Sequence, residues 1–252
     1  MINKAITITG VLALALCSIC ACRNEKKQQT IETVSVVKTK VDTVSVNTKP
    51  DTKLKYPEPD FPTSGNKIEE LIPQYFDIDM EASGDLNHDG LEDKVLVLIN
   101  TRDTTALRPT LVVLKVGDAY SVDAKSFAVI EPKYREDGYQ NYDFEDVTID
   151  KNGNLLFSQQ ATGPNGTLNS TFKYINNELV LTEVSSFAMG AGGQTALKLD
   201  LLKGIFEQTD INTMKEDMPS KTTTKKYKLG KVLFADSDPR EIIIKAFQDN
   251  GK

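Results

Sequence analysis

The apolar positions of this chain change their spacing four times. Ala5 to Leu16 is an apolar run with Lys4 before it and small residues after it. Its length, about twelve residues, suits the core of a secretory signal, whereas a membrane-crossing helix needs about 20. Arg23 to Asp60 then carries alternating valines in "VSVVKTKVDTVSVNTK", but Thr and Lys fill the intervening positions and leave little to bury. From Asn66 onward the pattern is that of a folded domain.

That domain opens with a helix signal. Ile68, Leu71 and Ile72 fall on one face, Glu69 and Glu70 sit near the positive end, Asn66 is placed to cap and Pro73 to stop. The spacing then switches to that of strands. Lys94 to Ile99 and Thr110 to Val116 are β-branched runs, and Gly117-Asp118 makes a tight connection into Tyr120 to Ile130, which predicts three consecutive antiparallel strands. Asn152-Gly153 and Asn176-Asn177 each separate two apolar runs and predict hairpins. Ala196 to Gln208 and Lys225 to Phe234 supply further strands. At the end, Asp238, Pro239 and Glu241 form a capping-box pattern before "IIIKAFQ" and predict a helix over Pro239–Asp249, with a last strand through Ile242 to Ile244 as the alternative. The expected class is mainly β, built from antiparallel meander sheets as a sandwich or a partial propeller-like sheet, with small helices near Asn66–Ile72 and Pro239–Asp249.

Composition adds an address. All three cysteines lie in "CSICAC", and Cys22 follows Ala21 as a lipidated cysteine follows the small residue at a lipoprotein cleavage site. Cys17 and Cys20 follow bulky Leu16 and Ile19 and suit that step poorly. The expected organisation is a signal over residues 1–21, a lipidated Cys22 opening a disordered tether over 22–61, and a β-rich domain over 62–252. The product is a lipid-anchored protein of the bacterial cell envelope, with the outer membrane as the expected site and both of its faces open. After processing no cysteine remains for a disulfide, a thiol nucleophile or a thiolate metal site, so the core holds by packing. A tether of some forty residues reaches about 35 Å as a flexible coil, and Arg23, Lys26 and Lys27 beside the lipid add weak attraction to anionic lipids. The formal net charge of −6 argues against a nucleic-acid partner.

One motif carries recognisable chemistry. In "GDLNHDGLEDKVLVLI", Asp85, Asn87, Asp89 and Asp93 stand at positions 1, 3, 5 and 9 of a loop, with Gly90 at position 6 for the sharp turn and the Leu91 carbonyl at position 7. A hard cation such as Ca2+ takes six or more oxygens at close range, and alternate residues of a tightly wound loop turn their side chains to one centre. Position 12 is Leu96 rather than the bidentate Glu of an EF-hand, and a strand follows rather than a helix, so calcium would be held weakly. The competing reading is an Asp-rich turn that satisfies its own amides. This loop running into "VLVL" resembles the calcium loop of FG-GAP and VCBS-type propeller repeats, and "LIPQYFDIDMEASGDLNHDGLEDKVLVL" resembles the opening of a family of uncharacterised bacterial lipoproteins. The resemblance spans mainly Ile68 to Ile130 and implies calcium on Asp85, Asn87, Asp89, Asp93 and the Leu91 carbonyl. A propeller needs several such loops and this chain has one, so only the loop and its strands carry over.

Other chemistry is thin. The sole histidine, His88, lies inside the loop. "MGAGGQT" (Met189 to Thr195) lacks the Lys and hydroxyl of a phosphate loop and reads as a mobile connection. Glu145, Asp146, Glu178 and Glu183 are the carboxylates that a glycan hydrolase would draw on. Tyr134, Tyr139, Tyr142 and Phe144 cluster in a polar stretch, either a binding surface or, as favoured here, a loop pinned by its rings. The expected function is a monomeric, non-enzymatic envelope module, stabilised by calcium, that binds protein or glycan; the alternative is a small hydrolase acting on envelope glycan. Replacing Cys22 by Ser should give a protein that no longer partitions with membranes, measured by detergent phase separation; retention at the wild-type level would overturn the lipid anchor.

Overall fold

The computed structural model describes residues 59–163 and 166–250. The signal run, Cys22 and all but the last residues of the tether lie outside them. Among the described residues twelve strands form two antiparallel sheets, and the class is mainly β. The first sheet has the order β1 (Ser64–Gly65), β5 (Ala119–Ser126), β4 (Thr110–Val116), β3 (Asp93–Asn100), β2 (Phe76–Gly84), a meander of β2 to β5 with β1 added beside β5. The second, a meander throughout, runs from β6 (Phe144–Ile149) through β7 (Leu155–Gln160), β8 (Thr167–Ile175), β9 (Glu178–Gly190), β10 (Gly193–Asp200) and β11 (Ile205–Asn212) to β12 (Ser220–Lys226). Among the described residues there is one α-helix, α1 (Pro239–Asn250). The sheets face each other as a sandwich and close no barrel.

The uninterrupted apolar run of β3 follows from its position. Val95 and Val97 join Val112 of β4 in a core shared with Leu155, Phe157 and Phe172 of the second sheet. Leu96 and Leu98 point the other way, into a smaller core with Leu111 and Val113 under Phe61 and Leu71. Successive side chains of a strand face opposite sides, so a strand covered on both loses its polar alternation. Edge-to-face packing of Phe157 on Phe172 (5.9 Å) and of Phe172 on Phe234 (5.1 Å) fills the shared core.

The turns explain which hairpins form and how. Asn176 and Asn177 both adopt positive φ, the left-handed pair that a two-residue turn between β8 and β9 requires. At Asn152-Gly153 only Gly153 is left-handed (φ +67°), and Asp150 pairs with Asn154 around a three-residue loop instead. "MGAGGQT" is the tight β9–β10 hairpin rather than a loose connection. Ala196 to Gln208 divides into β10 and β11, β5 ends at Ser126, and Lys225 to Phe234 leaves the sheet after Lys226. The N-terminal helix is corrected to one short 3₁₀ turn over Ile68–Leu71. Asn66 does not cap it, and its N–H donates instead to the Glu70 carboxylate at 2.8 Å. At the C-terminus the helix prevails over the strand, because the Asp238 carboxylate accepts the Glu241 N–H at 3.0 Å and Ile242, Ile243 and Ala246 are buried.

Where the sheets meet, β2 lies beside β6, and one fully buried cation bridges them. Arg108 Nη1 donates to Asp79 of β2 at 2.9 Å, its Nη1 and Nη2 grip the Glu145 carboxylate of β6 at 2.8 and 2.5 Å, and Nε donates to the Glu131 carbonyl at 2.7 Å. Lys133 also pairs with Asp79, and Gln159 donates to Glu145 at 3.0 Å. Asp79 reaches this site because it is the extra residue of a β-bulge between Ile78 and Met80. Removing one member strands charges that the others need, which costs about 3–5 kcal/mol when the group is buried. Arg108→Met should therefore lower unfolding free energy in urea by about that amount. Arg108→Met with Glu145→Met should recover much of it, since Asp79 keeps Lys133.

Candidate functional site

The Asp-rich loop joins β2 to β3 at the same seam. It winds on itself through its acidic side chains. The Asp85 carboxylate accepts the N–H groups of Asp89 (3.1 Å) and Gly90 (3.0 Å), and Asp89 accepts the Leu91 N–H at 2.8 Å. Asn87 accepts the Asp89 N–H and donates its amide to the Asp89 carboxylate, both at 3.0 Å. His88 (φ +62°) and Gly90 (φ +84°) take the two left-handed positions that the winding requires. The side chains of Asp85, Asn87 and Asp89 are thus brought together around the loop's own amides.

Asp93 behaves differently. It is fully buried, and its oxygens accept the N–H groups of Leu86 at 2.9 Å and of Lys115 on β4 at 3.0 Å. It therefore ties the loop to its own start and to the neighbouring strand. Burial pushes its carboxyl above the usual carboxylate range, against the amides that favour the ionised form, and Asp89 nearby adds to the rise. Among the described residues no Lys or Arg pairs with it. Among them, too, no three His, Cys, Asp or Glu side chains stand in a ready metal-holding group. Asp85, Asn87 and Asp89 form one oxygen-lined cluster and Asp93 a buried carboxylate beneath it.

The loop is seated on the β6–β7 turn. A Cβ at Gly153 would stand 2.8 Å from the His88 ring and 2.9 Å from the Asp85 carbonyl oxygen, and one at Gly84 would meet Ile149 of β6 at 2.6 Å. The His88 ring lies against Gly153. These two glycines let the loop approach the second sheet closely.

The candidate hydrolytic carboxylates are kept apart. Glu145 is held by Arg108, Glu178 pairs with Lys231 at 2.5 Å, and Glu183 with Lys198 at 2.9 Å. Asp146 is exposed and, as the neighbour of Glu145 on one strand, faces the other side. Three strand spacings, about 14 Å, separate β6 from β9, beyond the 5 to 10 Å of a glycosidase pair. In the aromatic stretch, Tyr142 is buried and its hydroxyl donates to Glu131, while Arg240 donates to that hydroxyl; Tyr139 and Phe144 are exposed. The Tyr142 hydroxyl is pushed well above its ordinary value, by burial first and then by Glu131. Tyr142 is thus the pin of the loop, and Tyr134 bridges to Gln140 within it. The Arg108 cluster gave no signal in the sequence, because its members come from five segments and share no motif. Among the described residues no helix is long and apolar enough to cross a membrane.

Comparison with protein-family models, with curated proteins and with solved structures gives no match for this chain.

The seating of the loop on the turn can be tested with two glycines. Gly117 (φ +61°) has open space where a Cβ would go, so Gly117→Ala should cost only the left-handed penalty of about 1–2 kcal/mol. Gly153→Ala carries the same penalty and also collides with His88 and with the Asp85 backbone, so its loss of thermal stability should be clearly the larger. Equal losses would show that the contact has no energetic weight.

Proposed function

We propose that this protein is a non-enzymatic binding module of the cell envelope whose loop between β2 and β3 holds a calcium ion for structural support. The observation that carries the reading is the buried Asp93 carboxylate beneath the oxygen-lined turn of Asp85, Asn87 and Asp89. A buried carboxylate with no Lys or Arg paired to it among the described residues is costly, and the nearby Asp89 is of like sign. The donors are all hard oxygens, the kind that calcium takes and that soft or imidazole-seeking metals do not favour. Asp85, Asn87, Asp89, the Leu91 carbonyl and Asp93 would hold the ion. Bound there, calcium would supply positive charge and fix the loop between the two sheets. Of the carboxylates named for the hydrolase alternative, Glu145, Glu178 and Glu183 are each paired with a cation and Asp146 faces away from Glu145, which counts against those four as its acid couple.

A ligand that binds only the folded state stabilises it by RT ln(1 + [L]/Kd), about 2.7 kcal/mol at a hundred times Kd. For a domain of this size that is a rise of roughly 5–10 °C in Tm. A thermal melt with calcium should show it, chelator should reverse it, and magnesium should do less because it gives up its waters reluctantly. Asp89→Ala should fold and lose the response. The sign with pH follows from Asp93. A carboxyl whose folded value is raised stabilises the fold below its unfolded value, about 3.9, and that contribution is lost as pH rises through the folded value. Calcium needs the ionised form, so its stabilisation should grow over the same window. No shift at about 10 mM calcium, roughly tenfold above the weakest Kd of extracellular sites, would leave the loop a plain Asp-rich turn.

A further inference from the structure

The directions of the strands sort their connections into two ends of the sandwich. β2 and β6 run the same way, so the Asp-rich loop shares one end with the turns at Gly117, Gly153, Asn176 and Leu202. At the other end lie Tyr75 before β2, the connection 127–143 from β5 to β6, and the β9–β10 and β11–β12 turns. The exposed apolar side chains of the connections differ between these ends. The loop end has Val116, Ile175 and Leu202, all aliphatic. The far end has Tyr75, Tyr139, Phe144, Met189, Met214 and Met218, and Met214 and Tyr139, at 80% and 69%, are the most exposed large apolar side chains among the described residues. They stand along a rim that runs from β11 to β6, five strand spacings or about 24 Å, and on to β2. Gly192 (φ +87°) makes room for the Met214 side chain, whose Cγ lies 3.2 Å from where a Cβ would stand, so the two hairpin tips meet in one knob. Scattered exposed apolar residues need no explanation, but six on one rim mark a contact surface.

The chemistry of the rim favours a lipid surface over a protein. Its apolar side chains come from four separate connections with polar residues between them, and a fluid headgroup layer accepts such points without the shape match that a rigid partner demands. The Arg102 guanidinium lies over the Tyr75 ring at 3.1 Å and that of Arg135 over Tyr139 at 5.6 Å. An amphipathic ring beside a long cation that can reach upward suits the boundary between headgroups and acyl chains. The described chain also enters at this end. Phe61 packs on Phe76 at the start of β2 (5.9 Å) and on Phe127 just past the end of β5 (6.1 Å). The segment leading back to Cys22 therefore leaves the domain on the side of the rim, and its reach of about 35 Å keeps the rim close to a bilayer that holds a lipid on Cys22. Acids and bases alternate here, in Arg135-Glu136-Asp137 and Lys215-Glu216-Asp217, so the attraction is apolar rather than a preference for anionic lipid.

We propose that this rim is a membrane-contacting surface, with Tyr75, Tyr139, Phe144 and the methionine knob dipping into the headgroup layer and the Asp-rich loop turned away from it. The proposal rests on the reading of the protein as a lipid-anchored envelope module and assigns the face that meets the bilayer. The chain contains no tryptophan, so a single introduced one is the sole indole reporter. Tyr139→Trp, Met214→Trp and, at the loop end, Leu202→Trp are each made in the full chain, purified in detergent and returned to phosphatidylcholine vesicles with or without brominated acyl chains. Emission from positions 139 and 214 should shift to the blue and be quenched by brominated lipid several-fold more than emission from position 202. Adding Tyr139→Glu and Met218→Glu to Met214→Trp should bring its quenching down to the level at position 202. Salt at about 1 M, where the Debye length is about 3 Å, should leave the quenching unchanged. No quenching at the rim, equal quenching at both ends, quenching that survives the glutamates, or its loss in salt would each overturn the proposal, and a protein as the occupant of the rim gives the first of these results. Detergent phase separation of the same samples reads the anchor independently. Partition without quenching sinks the rim alone, and quenching without partition sinks the anchor alone.

Discussion

The Arg108 guanidinium is the point on which the arrangement of the two sheets depends. It is fully buried, so it is tolerated only where several acceptors surround it. Those acceptors come from both layers: Asp79 from the edge of the first sheet, Glu145 from the edge of the second, and the Glu131 carbonyl from the connection between them. Apolar faces alone leave two twisted sheets free to slide, because hydrophobic contact is non-directional. A bidentate pair has one geometry, and it fixes β2 against β6 in register. With Asp79 opposite Glu145 at one point of the seam and Gly84 against Ile149 further along, the two strands run side by side in the same direction.

Register breaks supply the polar contacts that this arrangement needs. Asp79 is the unpaired residue of the bulge in β2, and Asp123 is that of the bulge in β5, where it accepts the Tyr174 hydroxyl of the second sheet at 2.5 Å. Thr182 occupies the third, in β9, and donates to the Thr171 carbonyl at 3.0 Å. A bulge turns one side chain out of the alternation without changing the faces of its neighbours. Two of the three thereby join the sheets across the sandwich, and the third satisfies a buried hydroxyl within its own sheet.

This explains what the sequence made legible and what it hid. Asn176-Asn177, Gly117-Asp118 and the capping pattern at Asp238 are local instructions whose partners lie within a few residues, and each produces the element that its chemistry demands. The β3 run was readable because burial on both faces leaves an uninterrupted apolar stretch. β2 was not readable, since "FDIDMEASG" mixes acids into an edge strand whose bulge breaks the period. Arg108 sits in a polar connection, 29 residues from Asp79 and 37 from Glu145, and nothing in its neighbourhood marks it as buried. The short turn at Ile68–Leu71 was over-read as a capped helix because three apolar residues share a face in either geometry, and the capping chemistry went to Glu70 instead. Of the candidate site, spacing revealed which oxygens the loop offers. That Asp93 would be buried as a tie to β4 depends on a strand pairing 22 residues away.

Two charges lie buried at this seam, and their treatment differs. Arg108 has two carboxylates, a backbone carbonyl and, through Asp79, a lysine within its network. Asp93 has backbone amides and, among the described residues, no cation. A few amides stabilise a carboxylate by charge–dipole attraction but do not neutralise it, and Asp89 close by works in the opposite direction. A fold that compensates one buried charge so fully and leaves its neighbour one positive charge short has a local deficit, at the loop whose remaining side chains are oxygen donors. A divalent cation on those donors would lower the Asp93 carboxyl, replace the repulsion from Asp89 by a shared attraction, and fasten the loop to the turn at Gly153. The same ion would then reinforce, from the other end of β2, the register that Arg108 sets.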